Sequence, residues 1–195
     1  MSNVRHHKPP KASMSETLIV ALIAGSVTLV VAFINTFVSE SYKRFRDGAT
    51  VAASLAGELA AYEDAWPMLS DFLSSVVSAT EVEKPSLEAL RPIERPKDVV
   101  YEKSIDKLGL LGAQTAEGVV YVYSNINAFR IALEIISRDH ASMSKEELKS
   151  RCVACKAALD RAATRGEVLL GTLRARASAR FSPEWPWSHW LALFS

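Results

Sequence analysis

From Thr17 to Ser39 the chain runs TLIVALIAGSVTLVVAFINTFVS without a charged residue, closed by Glu16 on one side and ESYKRFR on the other. At about 1.5 Å per residue, a helix of that length reaches roughly the 30 Å of a bilayer's hydrocarbon core. A cleaved signal peptide has an apolar core of about 7–15 residues followed by a small-x-small site. Here the run is longer, and Tyr42, Lys43, Arg44, Phe45 and Arg46 follow it. A helix apolar on every side is also uncommon in the core of a small domain. The run therefore reads as a retained transmembrane helix over 15–39, behind a polar arm at 1–14 that is expected to be disordered. Arg5, Lys8 and Lys11 precede the run, and Lys43, Arg44 and Arg46 follow it. The second cluster is tighter and nearer the bilayer, so the positive-inside rule leans toward a C-terminal domain in the cytoplasm.

Ala21, Gly25, Thr28, Ala32 and Asn35 recur on this helix at steps of four and three. Small residues on one face let helix backbones approach closely, and an amide in that face can hydrogen-bond across a pair. The face is a candidate for self-association, although Gly, Ala and Thr are common in such helices in any case.

About 150 residues follow the anchor, enough for one domain with its own core. The net charge of +1 carries no nucleic-acid signature. Its distribution is uneven. Asp47, Glu58, Glu63, Asp64, Asp71, Glu81 and Glu83 lie in a stretch free of Lys and Arg, while Lys145 to Arg180 is predominantly basic. The two segments either pack together, pair between subunits, or are solvated faces of opposite bias.

The apolar period is helical nearly throughout. Val51, Leu55, Leu59, Tyr62, Trp66, Leu69, Leu73 and Val76 form a stripe that continues the anchor into the domain. Pro67 within it predicts a kink or restart, with Asp64 as a cap for the restarted helix. Pro85, Pro92 and Pro96 mark a connector at 83–97. A brief helix is expected over about 97–108, ending at a left-handed Gly109. Val119, Val122, Ile126, Phe129, Leu133 and Ile136 predict a helix over about 113–138. Ser144 followed by Glu147 is a capping box opening a last helix toward Arg180. The expected fold is all-α: an N-terminal transmembrane helix running into a soluble bundle of three to four helices over 40–181.

The search for chemistry is short. Cys152 and Cys155 fall inside the last helix on its apolar stripe, where cysteine is an ordinary small core residue. A zinc site needs four ligands, and no second Cys or His pair stands at suitable spacing. His6, His7, His140 and His189 have no helical partners at i+4. Phosphate loops, GxSxG and dinucleotide fingerprints are absent from the sequence. No catalytic, cofactor-binding or metal-ligating residue is therefore assigned, and no cofactor is expected.

Lys107-Leu-Gly-Leu-Leu-Gly-Ala-Gln-Thr-Ala-Glu-Gly-Val-Val-Tyr-Val-Tyr resembles a pattern met in small uncharacterised bacterial membrane proteins, over about Val99 to Ile131. In those an N-terminal anchor precedes a Leu-Gly-Leu-Leu turn and a helix with paired valines and a tyrosine. The resemblance implies a helical, single-pass bacterial protein and no particular activity, and the expected location is the bacterial inner membrane.

The tail at 182–195 holds Trp185, Trp187 and Trp190, followed by Leu191, Leu193 and Phe194. Tryptophan favours the membrane interface, and Arg174, Arg176 and Arg180 lie just upstream. The tail either docks on the bilayer, fills a bundle groove or binds a partner. Lys43, Arg44, Arg46, Arg180 and the three tryptophans are the candidate interface residues. The expected function is a membrane-anchored helical oligomerisation or protein-interaction module without catalysis. Its partners would be the lipid bilayer, a second copy and an unknown protein, with no nucleic acid. The alternatives are a membrane-associated sensor or effector of stress or defence type, and an envelope or phage structural protein with an extracytoplasmic domain.

Overall fold

A computed structural model describes residues 14–81 and 98–182. The polar arm, the proline-rich connector and Trp185, Trp187 and Trp190 lie outside the described residues. Regular structure within them is entirely helical: α1 (Met14–Glu63), α2 (Trp66–Ala79), α3 (Val99–Ser104), α4 (Ala113–Asp139) and α5 (Lys145–Ser178). Short 3₁₀ segments occupy Ile105–Leu111 and His140–Ser142. The described chain divides into two units, the apolar part of α1 up to Lys43 and a bundle over Arg44–Phe181.

The apolar part of α1 is long and apolar enough to cross a membrane, and its side chains from Leu18 to Phe33 are exposed. By length and composition α4 passes the same test. Its stripe of Val119, Val122, Ile126, Phe129, Leu133 and Ile136, however, is buried in the bundle, as expected of a core helix.

One core joins the bundle's helices. Val51, Leu55 and Leu59 of α1 and Trp66, Leu73 and Val76 of α2 meet the α4 stripe and Leu148, Cys152, Cys155, Leu159, Leu169 and Leu173 of α5. The short turn after α4 sends α5 back along it, and α2 also packs on α5. This brings the acidic segment against the basic one, with the Glu81 carboxylate accepting from Lys149 at 2.8 Å. Both side chains are well exposed, so the pair adds little to stability.

The helix boundaries follow from local chemistry. Pro67 restarts the chain as expected, standing in the first turn of α2 where its missing N–H costs nothing. Asp64 does not cap this helix: the cap position falls to Ala65, with no side-chain cap bond. Ser144 does cap α5, its Oγ accepting from the Glu147 amide at 3.1 Å. The Glu147 carboxylate accepts from Arg151 one turn on. α5 ends at Ser178, two residues short of Arg180.

The corner before α4 differs from expectation. Gly109 does not take the left-handed conformation; among described residues only Gly112 has positive φ, at 86°. The chain passes through Gly109 as a 3₁₀ segment, which eclipses residues three apart. That geometry sends both Leu108 and Leu111 into the core. The reversal is thereby displaced to Gly112, whose φ and ψ of 86° and 156° suit glycine alone.

Two glycines record close packing. A Cβ on Gly48 would lie 2.8 Å from the Leu110 carbonyl oxygen, and one on Gly166 would overlap the Trp66 indole. Gly166→Ala should therefore cost about 1–3 kcal/mol through overpacking. Gly171→Ala on the same helix faces open space and should be neutral or stabilising by up to about 1 kcal/mol. Denaturant midpoints of the two variants in detergent check the contrast.

Candidate functional site

The densest polar constellation in the bundle ties α1, α3 and α4 together. α3 is a single short turn whose first amides have no partner within the helix. Glu58 of α1 supplies the acceptors: Val100 N–H donates to Oε1 and Tyr101 N–H to Oε2, each at 3.0 Å. The Tyr123 hydroxyl of α4 donates to the same Oε2 at 2.9 Å. A carboxylate at a helix N-terminus also meets the positive end of the backbone dipoles. Glu58 thus acts as a cap supplied across the fold, 42 residues upstream of its first partner.

Asp98 stands at the cap position of α3, yet its side chain makes no cap bond. Its oxygens accept instead from the Tyr62 hydroxyl and, at 2.7 Å, from Arg130 Nη1. The Arg130 guanidinium lies over the Tyr62 ring at 5.0 Å, and Tyr101 stacks on Tyr123 with centroids 4.2 Å apart. Both charged side chains are nearly buried, at 10% and 12% exposure. Burial and the Asp98 hydrogen bond push the Tyr62 phenol up to about 12. Burial raises Tyr123 further, reinforced by the Glu58 charge and hydrogen bond.

These groups spend their donors and acceptors on one another, and among the described residues no buried side-chain N or O lacks a partner. The constellation holds helices together. Sequence reasoning found Tyr62 as a stripe residue but missed Glu58, Asp98, Tyr101, Tyr123 and Arg130. The available signal was Glu58 and Tyr62 at i and i+4 on a face that is otherwise apolar.

The cysteines sit where the stripe placed them. Both are free and fully buried, and Cys155 Sγ donates to the Phe129 carbonyl oxygen at 3.6 Å. Burial pushes Cys155 up to about 12, far from the lowered pKa that makes a thiol reactive. Among the described residues no cluster of His, Cys, Asp or Glu has metal-binding geometry.

The candidate membrane residues are surface residues. Ala21, Gly25, Thr28, Ala32 and Asn35 are all exposed on α1, and a Cβ on Gly25 would meet nothing. Thr28 Oγ1 donates to the Ala24 carbonyl oxygen within its own helix, which leaves its methyl for packing. Lys43, Arg44 and Arg46 are exposed on α1, and Arg180 is exposed beyond α5. On the bundle, Val120, Ser124, Ala128 and Ile131 form an exposed stripe on the outward face of α4. Val120 and Ser124 line a shallow apolar groove with Leu108, Ala116 and Tyr121, and Ala128 and Ile131 line another with Ala132, Ile135 and Ala154.

No protein-family model matches the chain, nor does any curated protein or solved structure.

Removing one member of the buried ion pair strands the other. Arg130→Met should lower stability by about 3–5 kcal/mol, and adding Asp98→Leu should recover part of that loss. Urea unfolding of the single and double variants measures the recovery. The tyrosines set an alkaline limit. Folded Tyr62 keeps its proton to about pH 12, whereas the unfolded chain releases it near 10. Stability is therefore full below pH 10 and falls as pH rises through that window. Unfolding midpoints at pH 9 and 11 should show the drop, and Tyr62→Phe should make it shallower.

Proposed function

We propose that this chain is a single-pass membrane protein whose helical bundle serves as a tethered oligomerisation module, without catalytic activity. The observation that carries the reading is the exposed apolar surface of α1 from Leu18 to Phe33. A bilayer covers such a surface, and tethering then raises the effective concentration of the bundle for a second copy. The tighter basic cluster at Lys43, Arg44 and Arg46 supports a bundle on the cytoplasmic side. The resemblance around Val99 to Ile131 supports a bacterial membrane.

Two surfaces support self-association. Asn35 lies about 10 Å from the middle of the apolar run, so its amide would sit in hydrocarbon. It makes no hydrogen bond among the described residues, and a polar side chain there gains from a partner on a neighbouring helix. Gly25, Ala21 and Ala32 on the same face allow the close approach that such a bond needs. The second surface is the outward stripe of α4 around Ile131. The polar constellation at Glu58 and Asp98 supports the non-catalytic reading, because its groups are consumed in holding the bundle.

The test is energy transfer between differently labelled full-length chains in lipid vesicles, diluted with increasing lipid. Gly25→Ile with Asn35→Val should lower the paired fraction by about tenfold, the scale of 1–2 kcal/mol typical of intramembrane contacts. Ile131→Arg should lower it separately. Unchanged transfer in every variant would contradict the oligomerisation reading.

A further inference from the structure

The bundle is entered and left at one end. Phe45, at the start of the bundle part of α1, packs its ring on Phe181 beyond α5, with centroids 5.5 Å apart. The Arg176 guanidinium covers the same ring at 4.9 Å. One turn along α1, Gly48 lets the Leu110 carbonyl approach. These contacts gather basic residues from three elements: Arg44 and Arg46 of α1, Lys107 of the 3₁₀ segment, and Arg174, Arg176 and Arg180 at and beyond the end of α5. Asp47 and Asp106 are the acidic residues beside them in sequence.

Most cations elsewhere in the bundle are engaged, Lys103 of α3 being an exposed exception without an ionic partner among the described residues. Arg130, Arg138, Lys149, Arg151 and Lys156 are each paired with a carboxylate. Arg161 donates to Asn125, and Arg165 covers the Tyr121 ring. At the shared end, Arg46, Lys107, Arg174 and Arg180 are exposed with no ionic partner among the described residues. Compensation of the α5 dipole accounts for basic residues in its last turn. It does not account for Arg46 or Lys107, which belong to other elements.

We propose that this end of the bundle is a collar that binds acidic phospholipid headgroups. The proposal rests on the reading that 17–39 spans the bilayer. Arg44 then follows the last apolar residue by about 8 Å of helix, within the roughly 8–10 Å over which a surface potential acts at physiological salt. Guanidinium groups match phosphate oxygens in paired hydrogen bonds. Each basic residue held near an anionic surface strengthens the contact about fivefold, so four unpaired cations together favour acidic lipid strongly. The Phe45–Phe181 contact holds the two chain strands of this end together, and Arg176, stacked on Phe45, is fixed within the collar.

The experiment uses the full chain with Ile105→Cys, an exposed position in the same 3₁₀ segment as Lys107. The native thiols are buried, so a fluorophore goes to position 105. The chain is placed in vesicles of phosphatidylcholine alone or mixed with phosphatidylglycerol, each carrying a headgroup quencher. Quenching should rise by about twofold or more with phosphatidylglycerol. High salt should remove the rise, and so should Arg46→Glu, Arg174→Glu and Arg180→Glu combined. Equal quenching in both lipids, or a rise that survives charge reversal, would overturn the collar. Flotation separates this from the premise: a chain that floats with both vesicle types yet shows lipid-independent quenching overturns the collar alone. A chain that fails to float with either overturns the spanning reading beneath it.

Discussion

Ten large apolar side chains of α1, from Leu18 to Phe33, are at least half exposed. Full burial of a side chain of this kind is worth about 1.5 kcal/mol or more. Left in water, the set forgoes about 15 kcal/mol, as much as the whole net stability of an ordinary domain. That constraint governs the rest. A chain with such a surface requires a bilayer or other helices to cover it, and the proposed tethering rests on the first of these.

The bundle carries its own organising contact. α3 is too short to stand alone, and a segment outside the described residues separates it in sequence from α2. Glu58 fixes it by accepting from the Val100 and Tyr101 amides in its first turn, and Asp98 fixes its approach through Tyr62 and Arg130. The arrangement stakes buried charge on geometry. Complete, it registers α1 against α3 and α4; with one partner gone it becomes a liability. The apolar core supplies attraction between the helices, and this constellation supplies a position along them.

Much of the fold was legible from the sequence because its signals are local or periodic. The stripes of α4 and α5 name the residues that are buried, down to Cys152 and Cys155, since a helix facing a core repeats at a fixed angle. Pro67 and Ser144 act through bonds within a few residues and could be read directly. Asp64 and Gly109 were misread for a related reason. Local cap chemistry suits both, but the core's demand for Leu108 and Leu111 set the backbone at Gly109. Glu58, Asp98 and Arg130 were invisible because their meaning depends on partners 32 to 43 residues away. A polar residue beside an apolar stripe looks solvated until its tertiary partner is known. The gathering of Arg46 with Lys107, Arg174 and Arg180 at one end of the bundle required the fold, because these residues come from three separate elements.

The central claim is that the run from Thr17 to Ser39 crosses a membrane. Single cysteines at Ser15 and Ser41 would stand on either side of it, and the buried native thiols contribute little background. A membrane-impermeant maleimide applied to intact cells producing each full-length variant, before and after lysis, reads the two positions directly. The account predicts that Ser15→Cys is labelled from outside and that Ser41→Cys is labelled only after lysis. Labelling of both positions from one side would contradict a spanning helix, whatever the lipid contacts of the bundle.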